Sequence, residues 1–142
     1  MKEQNFSNHT RYVPGFHFVT STAMLALLAG SFINLSHSAK ENLYSASLIC
    51  LVSVIFCLMF WYTRSFALKA QDRAIRAEEN FRHFILTGKA LPRGIRMGQT
   101  IALRFASDEE MPALAARAVK ENLKSTEIKK AIVNWRADYY RA

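Results

Sequence analysis

The sequence contains 142 residues, of which 51% are hydrophobic and 21% are charged, with a formal net charge of +8. A disulfide-rich secreted scaffold is excluded because there are only two cysteines, and a disordered chain is excluded because apolar residues are abundant. The charges are also segregated. Residues 12–39 and 42–63 contain no Asp, Glu, Lys or Arg, whereas residues 64–142 carry 16 Lys or Arg and 9 Asp or Glu. This segregation argues against a soluble globular enzyme and favours a membrane anchor with a small basic region.

The first uncharged segment predicts a membrane-spanning helix over about 16–35, after an N-terminal tail of residues 1–15. An apolar helix of about 20 residues is long enough to cross a bilayer. The polar residues Thr20, Ser21 and Thr22 weaken the signal. A cleaved signal peptide is an alternative, because Ser36 to Ser38 would form a small-x-small cleavage site. We expect a retained span.

The second uncharged segment predicts a stronger span over about 43–63. It contains ten Leu, Ile, Val or Phe residues, which together favour insertion by about 4 kcal/mol. It ends in Phe60, Trp61 and Tyr62, as an interfacial aromatic belt would. A buried core helix is the alternative, but the chain has too little other apolar sequence to surround one. Only residues 36–42 separate the spans, so we expect an antiparallel transmembrane hairpin.

The distribution of basic residues predicts the orientation of this hairpin. Arg64, Lys69, Arg73 and Arg76 follow the second span closely, whereas the connector carries one Lys and one Glu. Positive residues remain on the cytoplasmic side of a bilayer. We therefore expect a multi-pass membrane protein with both termini in the cytoplasm.

Small and polar residues recur at helical spacing in both spans, and such residues let helices approach closely in lipid. In the first span they are Thr22, Ala26 and Ala29, with Gly30 on a neighbouring line. In the second span they are Ala46, Cys50, Ser53 and Cys57. We expect these residues to pack the spans against each other, with docking of a partner's helix as the alternative.

Residues 64–142 predict a basic helical cytoplasmic domain. A long helix should continue from Arg64 to Thr87, because no Gly or Pro interrupts it before Gly88 and Pro92. Residues 90–99 then form a loop. Residues 100–106 alternate like a strand, yet an isolated strand has no partner, so a helix is favoured.

Two amphipathic helices should complete this domain. The first is expected from about Glu109 to Leu123, because Ser107 and Glu110 have the spacing of a capping box. The second is expected from Ser125 or Thr126 to about Ala137. The whole chain is thus predicted to be an all-α membrane protein: a two-helix transmembrane hairpin, a long helix and a small helical cytoplasmic tail domain.

Basic and aromatic residues of the tail are candidates for contact with a partner or with lipid. Clustered Lys and Arg near a membrane attract anionic headgroups by roughly 1 kcal/mol per charge. A solvated tail packed on itself is the plainer alternative, and contact with nucleic acid is a third. The candidate contact residues are Arg73, Arg76, Arg104, Trp135, Arg136 and Tyr139.

No motif in the sequence predicts catalysis. There is no phosphate-binding glycine loop, no GxSxG, no HExxH and no CxxC pair. His17 lies at the start of the first span, where an interfacial polar residue explains it better than a haem ligand does. We therefore predict no catalytic residue, cofactor or metal site.

Four short stretches resemble an uncharacterised family of small bacterial membrane proteins, known only as a domain of unknown function. The stretches are Gln4 to His9 with Arg11, Ala70 to Arg76, Ile101 to Glu110, and Lys129 to Trp135. The resemblance implies two spans and a cytoplasmic helical tail. It implies no activity and no catalytic residues.

These observations predict a non-enzymatic accessory or scaffold subunit of a larger inner-membrane assembly, of export, translocation or respiratory type. Its expected partners are a larger integral membrane complex and anionic lipid headgroups, and a homo-oligomer is possible. The alternative is a membrane-tethered module that binds nucleic acid or ribosomes. That alternative predicts binding that weakens steeply with salt, because phosphate contacts release counterions.

Overall fold

The computed structural model describes residues 4–10 and 12–139, and within these ranges the chain is helical, with no β-strand. The elements, in chain order, are a π-helix at Gly15–Thr20, α1 at Ser21–His37, a 3-10 helix at Lys40–Asn42, α2 at Leu43–Thr87, α3 at Met97–Leu103, α4 at Met111–Lys120 and α5 at Ser125–Ala131. Two of the helical segments, Gly15–His37 and Lys40–Thr87, are long and apolar enough to cross a membrane.

Contacts divide the chain into two units. The apolar unit comprises residues 12–66 among those described, and therefore holds α1 and the first part of α2. The C-terminal unit comprises residues 4–10 and 67–139, and therefore joins the start of the chain to its end. The predicted tail of residues 1–15 thus falls in two parts, because residues 4–10 belong with the C-terminal helices.

The C-terminal unit has one apolar core between α3, α4 and α5. Leu103, Phe105, Met111 and Ile128 are fully buried in it. They come from segments that are amphipathic by sequence, so each helix contributes one apolar face. The close approach of α3 and α5 needs a glycine: a Cβ on Gly98 would lie 2.9 Å from Ser125 Oγ.

A buried glutamine joins α3 to α4. The Gln99 side chain accepts a hydrogen bond from the backbone N–H of Arg96, and it donates to the carbonyls of Ala118 and Leu123 at 2.9 Å. Its amide is therefore satisfied although it is only 3% exposed. These bonds cap α3 and explain why the helix begins at Met97, inside the stretch for which the sequence predicts a loop.

The two last helices are shorter than the sequence predicts. At the start of α4, the Ser107 side chain accepts from the Glu110 N–H at 3.4 Å, but the helix begins only at Met111. The Glu110 carboxylate instead accepts from the backbone N–H groups of Val133 and Asn134, and so holds the chain after α5. Both carboxylate oxygens of Glu110 therefore accept hydrogen bonds from the segment after α5 rather than completing a capping box with Ser107.

The helix α5 ends at Ala131 because the following residues pair with an extended segment. Ala106 and Trp135 form an isolated antiparallel bridge, in which the Arg136 N–H donates to the Phe105 carbonyl at 2.8 Å. The alternation of apolar residues before Ala106 therefore ends in a local extended pairing. The sequence could not reveal this pairing, because its partner lies about 30 residues later.

Residues 4–10 pack against the end of the C-terminal unit. The side chain of Gln4 donates to the Asp138 carbonyl and accepts from the Asp138 N–H. The ring of His9 lies against the rings of Phe105 and Trp135, with centroids 5.8 and 5.9 Å away, and its Nε2 is 2.9 Å from Lys129 Nζ. Several contacts thus hold the start of the chain in this unit.

Candidate functional site

The contact between the two apolar helices is lined by small and polar side chains. Ser31 of α1 and Ser53 of α2 are only 3% and 1% exposed, and their hydroxyl oxygens lie 2.8 Å apart. Each hydroxyl is also 2.7 Å from a carbonyl of its own helix, Leu28 or Cys50. The two serines therefore form a buried hydrogen-bonded contact in an otherwise apolar unit.

The contacting face of α2 contains the small residues that the sequence analysis singled out. Ala46, Cys50 and Ser53 are buried, and Cys57 is half-buried. They recur at alternating spacings of four and three, which is the spacing of helices that cross at a shallow angle. Both cysteines are free thiols.

The candidate packing residues of the first span do not lie on the buried face of α1. Thr22, Ala26, Ala29 and Gly30 are exposed, and a Cβ on Gly30 would meet no atom within 4 Å. The least exposed positions are instead spaced by three and four along another line: Ser21, Met24, Leu28, Ser31, Leu35 and Ser38. Successive residues of a helix point about 100° apart, so a line of residues one position away faces a different direction. The small size of the side chains therefore did not identify which line contacts α2.

The outward surface of the apolar unit consists of large hydrophobic side chains. Leu25 and Ile33 of α1 are 67% and 61% exposed, and Leu51 of α2 is 54% exposed. Near one end, the rings of Phe16 and Phe60 stack with centroids 4.4 Å apart, and the Arg64 guanidinium lies over Phe16. The unit therefore buries the hydroxyls of Ser31 and Ser53 and exposes much of its hydrocarbon.

A basic groove lies within the C-terminal unit. It has a volume of about 620 Å³ and is lined by Arg73 and Arg76 of α2 and by Arg93 of the loop before α3. All three arginines are exposed, and no acidic side chain lines the groove. Leu91 and Pro92 also line it, so the groove combines positive charge with hydrocarbon, a surface suited to an anionic partner.

The loop wall of this groove is fixed by its backbone. The Asn80 side chain accepts a hydrogen bond from the Leu91 N–H at 3.0 Å, which ties the loop to α2. Gly94 adopts a φ of 92° beside Arg93, a conformation that residues with a side chain rarely adopt. Sequence analysis missed Arg93, although Pro92 and Gly94 on either side indicate a fixed turn.

A charged network lies beside the groove, on the side of α2 that packs against the C-terminal core. Arg82 donates to the Glu79 carboxylate, the Asp108 carboxylate and the Ala106 carbonyl, at 2.6–3.0 Å. Burial raises the pKa of Glu79, while Arg82 acts in the opposite direction. This network holds α2 to the segment before α4, and the sequence analysis did not single out either Glu79 or Arg82.

The other candidate contact residues differ in accessibility. Arg104 is only 9% exposed, its guanidinium is 3.2 Å from the Asp138 carboxylate, and it lies over the ring of Phe105. It therefore belongs to the interior of the unit rather than to a contact surface. Trp135 is half-buried against Phe105. Arg136 and Tyr139 are exposed and line a separate cleft of about 520 Å³.

In the described part of the chain, no three His, Cys, Asp or Glu side chains are grouped to hold a metal ion. The buried His83 is used structurally, with its Nδ1 2.8 Å from the Lys89 carbonyl. The two surfaces with distinctive chemistry are the outward apolar face of the apolar unit and the basic groove.

Comparison with known proteins gives a family but no function. No curated protein and no solved structure matches this chain. A family model described as "Family of unknown function (DUF6526)" matches residues 1–142. This match confirms the expected membership of an uncharacterised family: the chain belongs to DUF6526.

Proposed function

We propose that this protein is a non-enzymatic accessory or scaffold subunit of a larger assembly in the bacterial inner membrane. In this proposal the apolar unit anchors the chain as a transmembrane hairpin, and the C-terminal unit binds an anionic partner on the cytoplasmic side. The observation that carries the proposal is the reversed polarity of the apolar unit, which buries Ser31 and Ser53 while it exposes Leu25, Ile33 and Leu51.

Reversed polarity is the arrangement that lipid favours. In water, large apolar side chains are driven inward, and a helix pair that exposes them would aggregate. In a bilayer the hydrocarbon supplies no such drive, so helices associate through small residues and interhelical hydrogen bonds. The Ser31–Ser53 contact is of this kind, and neither apolar segment carries a charge.

The packing of residues 4–10 supports a common side for both ends of the chain. Gln4 and Asp138 are hydrogen-bonded to each other, and two spans separate them along the sequence. Two crossings return the chain to its starting side, so an even number of spans fits this contact and a single span does not. The excess of Lys and Arg after the second span favours the cytoplasm as that side.

The basic groove supports an anionic partner for the C-terminal unit. Arg73, Arg76 and Arg93 face one groove without an acidic neighbour in its lining. Anionic lipid headgroups and acidic segments of a larger membrane protein both provide the required charge. A nucleic acid or ribosome remains the second candidate function, favoured by the same three arginines and by the high pI of about 9.8.

Affinity purification tests this proposal. The tagged full-length chain would be extracted in mild detergent and washed at high salt, and the retained proteins identified by mass spectrometry. We expect a stoichiometric membrane protein complex to survive the wash, because lipid-embedded helix contacts are insensitive to salt. Recovery of the chain without any other membrane protein would contradict the proposal. Release of RNA or ribosomes by salt would favour the second candidate.

A matched pair of charge variants tests the groove. The double variant Arg76→Glu with Arg93→Glu reverses the groove, while Lys120→Glu with Lys124→Glu changes the net charge equally at exposed positions outside its lining. We expect only the groove variant to lose the partner or its affinity for vesicles that contain anionic lipid. Equal losses would show that net charge, rather than the groove, governs binding.

A further inference from the structure

The part of α2 within the C-terminal unit has two opposite faces, and only one of them contacts that unit. Ile75, Glu79 and His83 are buried at 5–7% exposure against the rest of the unit. The opposite face is exposed and carries no charge. We call it the outer seam; it consists of Ala67, Ala70, Ala74, Ala77, Phe81 and Phe84.

The outer seam ends in an exposed aromatic patch. Phe81 and Phe84 are 65% and 53% exposed, and the neighbouring Ile85 is 66% exposed. Three large apolar side chains on about one turn of a solvent-facing helix are unfavourable in water, because each leaves most of its apolar surface exposed to solvent. Such a patch marks an interaction surface.

The spacing of the outer seam is that of a coiled coil. Its six residues follow one another at intervals of three, four, three, four and three, which are the a and d positions of a heptad repeat. This repeat of 3.5 residues brings one helix face repeatedly against a parallel neighbour with the same repeat. The alanines permit close approach of the two helices, and the phenylalanines extend the contact at its end.

We propose that the outer seam pairs with the outer seam of a second copy of this chain, as a parallel two-helix contact. Flanking charges favour this occupant over an unrelated helix. In the heptad, Arg73 occupies a g position and Glu78 the e position of the following heptad, so in a parallel pair each Arg73 lies beside the partner's Glu78. Symmetry gives this complementary pair twice.

The parallel orientation rests on the proposed membrane anchor, because two copies inserted in one bilayer emerge from the same side. Anchoring also raises the local concentration of the two helices, which offsets the short length of the seam. The seam lies wholly within residues 67–84 of the C-terminal unit and overlaps the basic groove, because Ala77 of the seam and the flanking Arg73 both line that groove. Arg76 and Arg93 lie outside the seam, so they are the two groove arginines that pairing leaves for an anionic partner.

Disulfide trapping in membranes tests the pairing. In a background with Cys50→Ala and Cys57→Ala, a single cysteine would be placed at Ala70 or Ala77 of the seam, or at Lys69 as the control. Lys69 is next to Ala70 in sequence, so both lie at almost the same height along the helix axis. Lys69 nevertheless lies on a different helix face. Facing seam positions bring two Cα atoms within the range that a disulfide requires. We expect several-fold more cross-linked dimer from Ala70→Cys and Ala77→Cys than from Lys69→Cys.

Two outcomes would overturn the proposal. Equal cross-linking at Lys69 and Ala70 would indicate random collision, and absence of cross-linking at both seam positions would exclude the contact. Charge reversal gives an independent measurement in the Ala77→Cys background. We expect Arg73→Glu alone to reduce cross-linking a few-fold, and the combination of Arg73→Glu with Glu78→Arg to restore it.

The same membranes separate this proposal from the proposed function. Extraction with alkaline carbonate reports membrane anchoring, and it does not depend on pairing. A chain that resists extraction without cross-linking would keep the anchor and contradict the pairing. A chain released by carbonate would contradict the anchor itself. The cross-linking yields at Ala70, Ala77 and Lys69 would then test the seam contact independently of the anchor.

Discussion

The C-terminal unit buries Leu103, Phe105 and Met111 and exposes its charged side chains, as a protein core in water does. The apolar unit does the opposite, since its buried positions are Ser31, Ser53 and small residues, and its outside is hydrocarbon. The same chain therefore follows two packing rules. The difference teaches what the proposed membrane anchor requires: water drives large apolar side chains inward, whereas helices in lipid associate through small residues and hydrogen bonds.

The largest expected effect is loss of the core aromatic. Phe105→Ala should destabilise the C-terminal unit by about 3–5 kcal/mol, because the fully buried ring leaves a cavity. Phe32→Ala is the matched variant in the apolar unit, where the ring is 52% exposed and little packing is lost. Chemical unfolding in detergent measures both. Similar losses would remove the distinction between the two units.

The next effect is a charge on the outward face. Leu51→Arg should oppose membrane insertion by about 2.5–3.5 kcal/mol, the cost of an arginine at the centre of a span. Val133→Arg is the control, because this side chain of the C-terminal unit is 81% exposed and its replacement should change stability by less than about 0.5 kcal/mol. Glycosylation mapping of insertion gives the first value and thermal unfolding the second. Normal insertion of Leu51→Arg would show that this face avoids lipid.

A smaller effect is expected from the serine contact. Ser53→Ala removes the hydroxyl that lies 2.8 Å from Ser31 Oγ, and hydrogen bonds between membrane helices contribute about 0.6 kcal/mol on average. Ser47→Ala is a suitable control, because its exposed hydroxyl donates only to its own helix at Tyr44. Steric trapping or unfolding in bicelles resolves such a difference. A loss in the control as large as that in Ser53→Ala would make the contact energetically irrelevant.

The smallest effect concerns pH and the C-terminal unit. Burial raises the pKa of Glu79, so the folded protein binds this proton over a range where the unfolded chain has released it. The contribution of Glu79 to stability is therefore fully present below its unfolded pKa and is lost as the pH rises through its folded value. Glu79→Gln should flatten the fall in melting temperature above about pH 4.5. A steeper fall in this variant would contradict the sign.

Sequence reasoning predicted the elements better than their contacts. The long charge-free segments located both apolar helices, and Gly88 marked the end of α2, because hydropathy and chain breakers are local properties. The contacting face of α1 depends on its register against α2, so the small residues Ala26 and Ala29 gave no indication of it. Register is a property of the pair rather than of one segment.

The candidate contact residues show the same division. Arg73 and Arg76 were found because they are basic and lie close together in the sequence. Arg93 joins them only through the fold of the loop that Asn80 holds. Arg104 looked equally accessible by sequence, but Asp138 pairs with it from 34 residues later and the unit encloses it. Such long-range pairing has no local signature.

The contact between Gln4 and Asp138 has a consequence for how the protein is made. These residues are separated by 134 positions, so a ribosome must synthesise almost the whole described chain before the first segment finds its site. Until then the rings of Phe105 and Trp135 lack the cover of His9. Residues 4–10 therefore complete their contacts late, only after the segment that contains Asp138 has been synthesised.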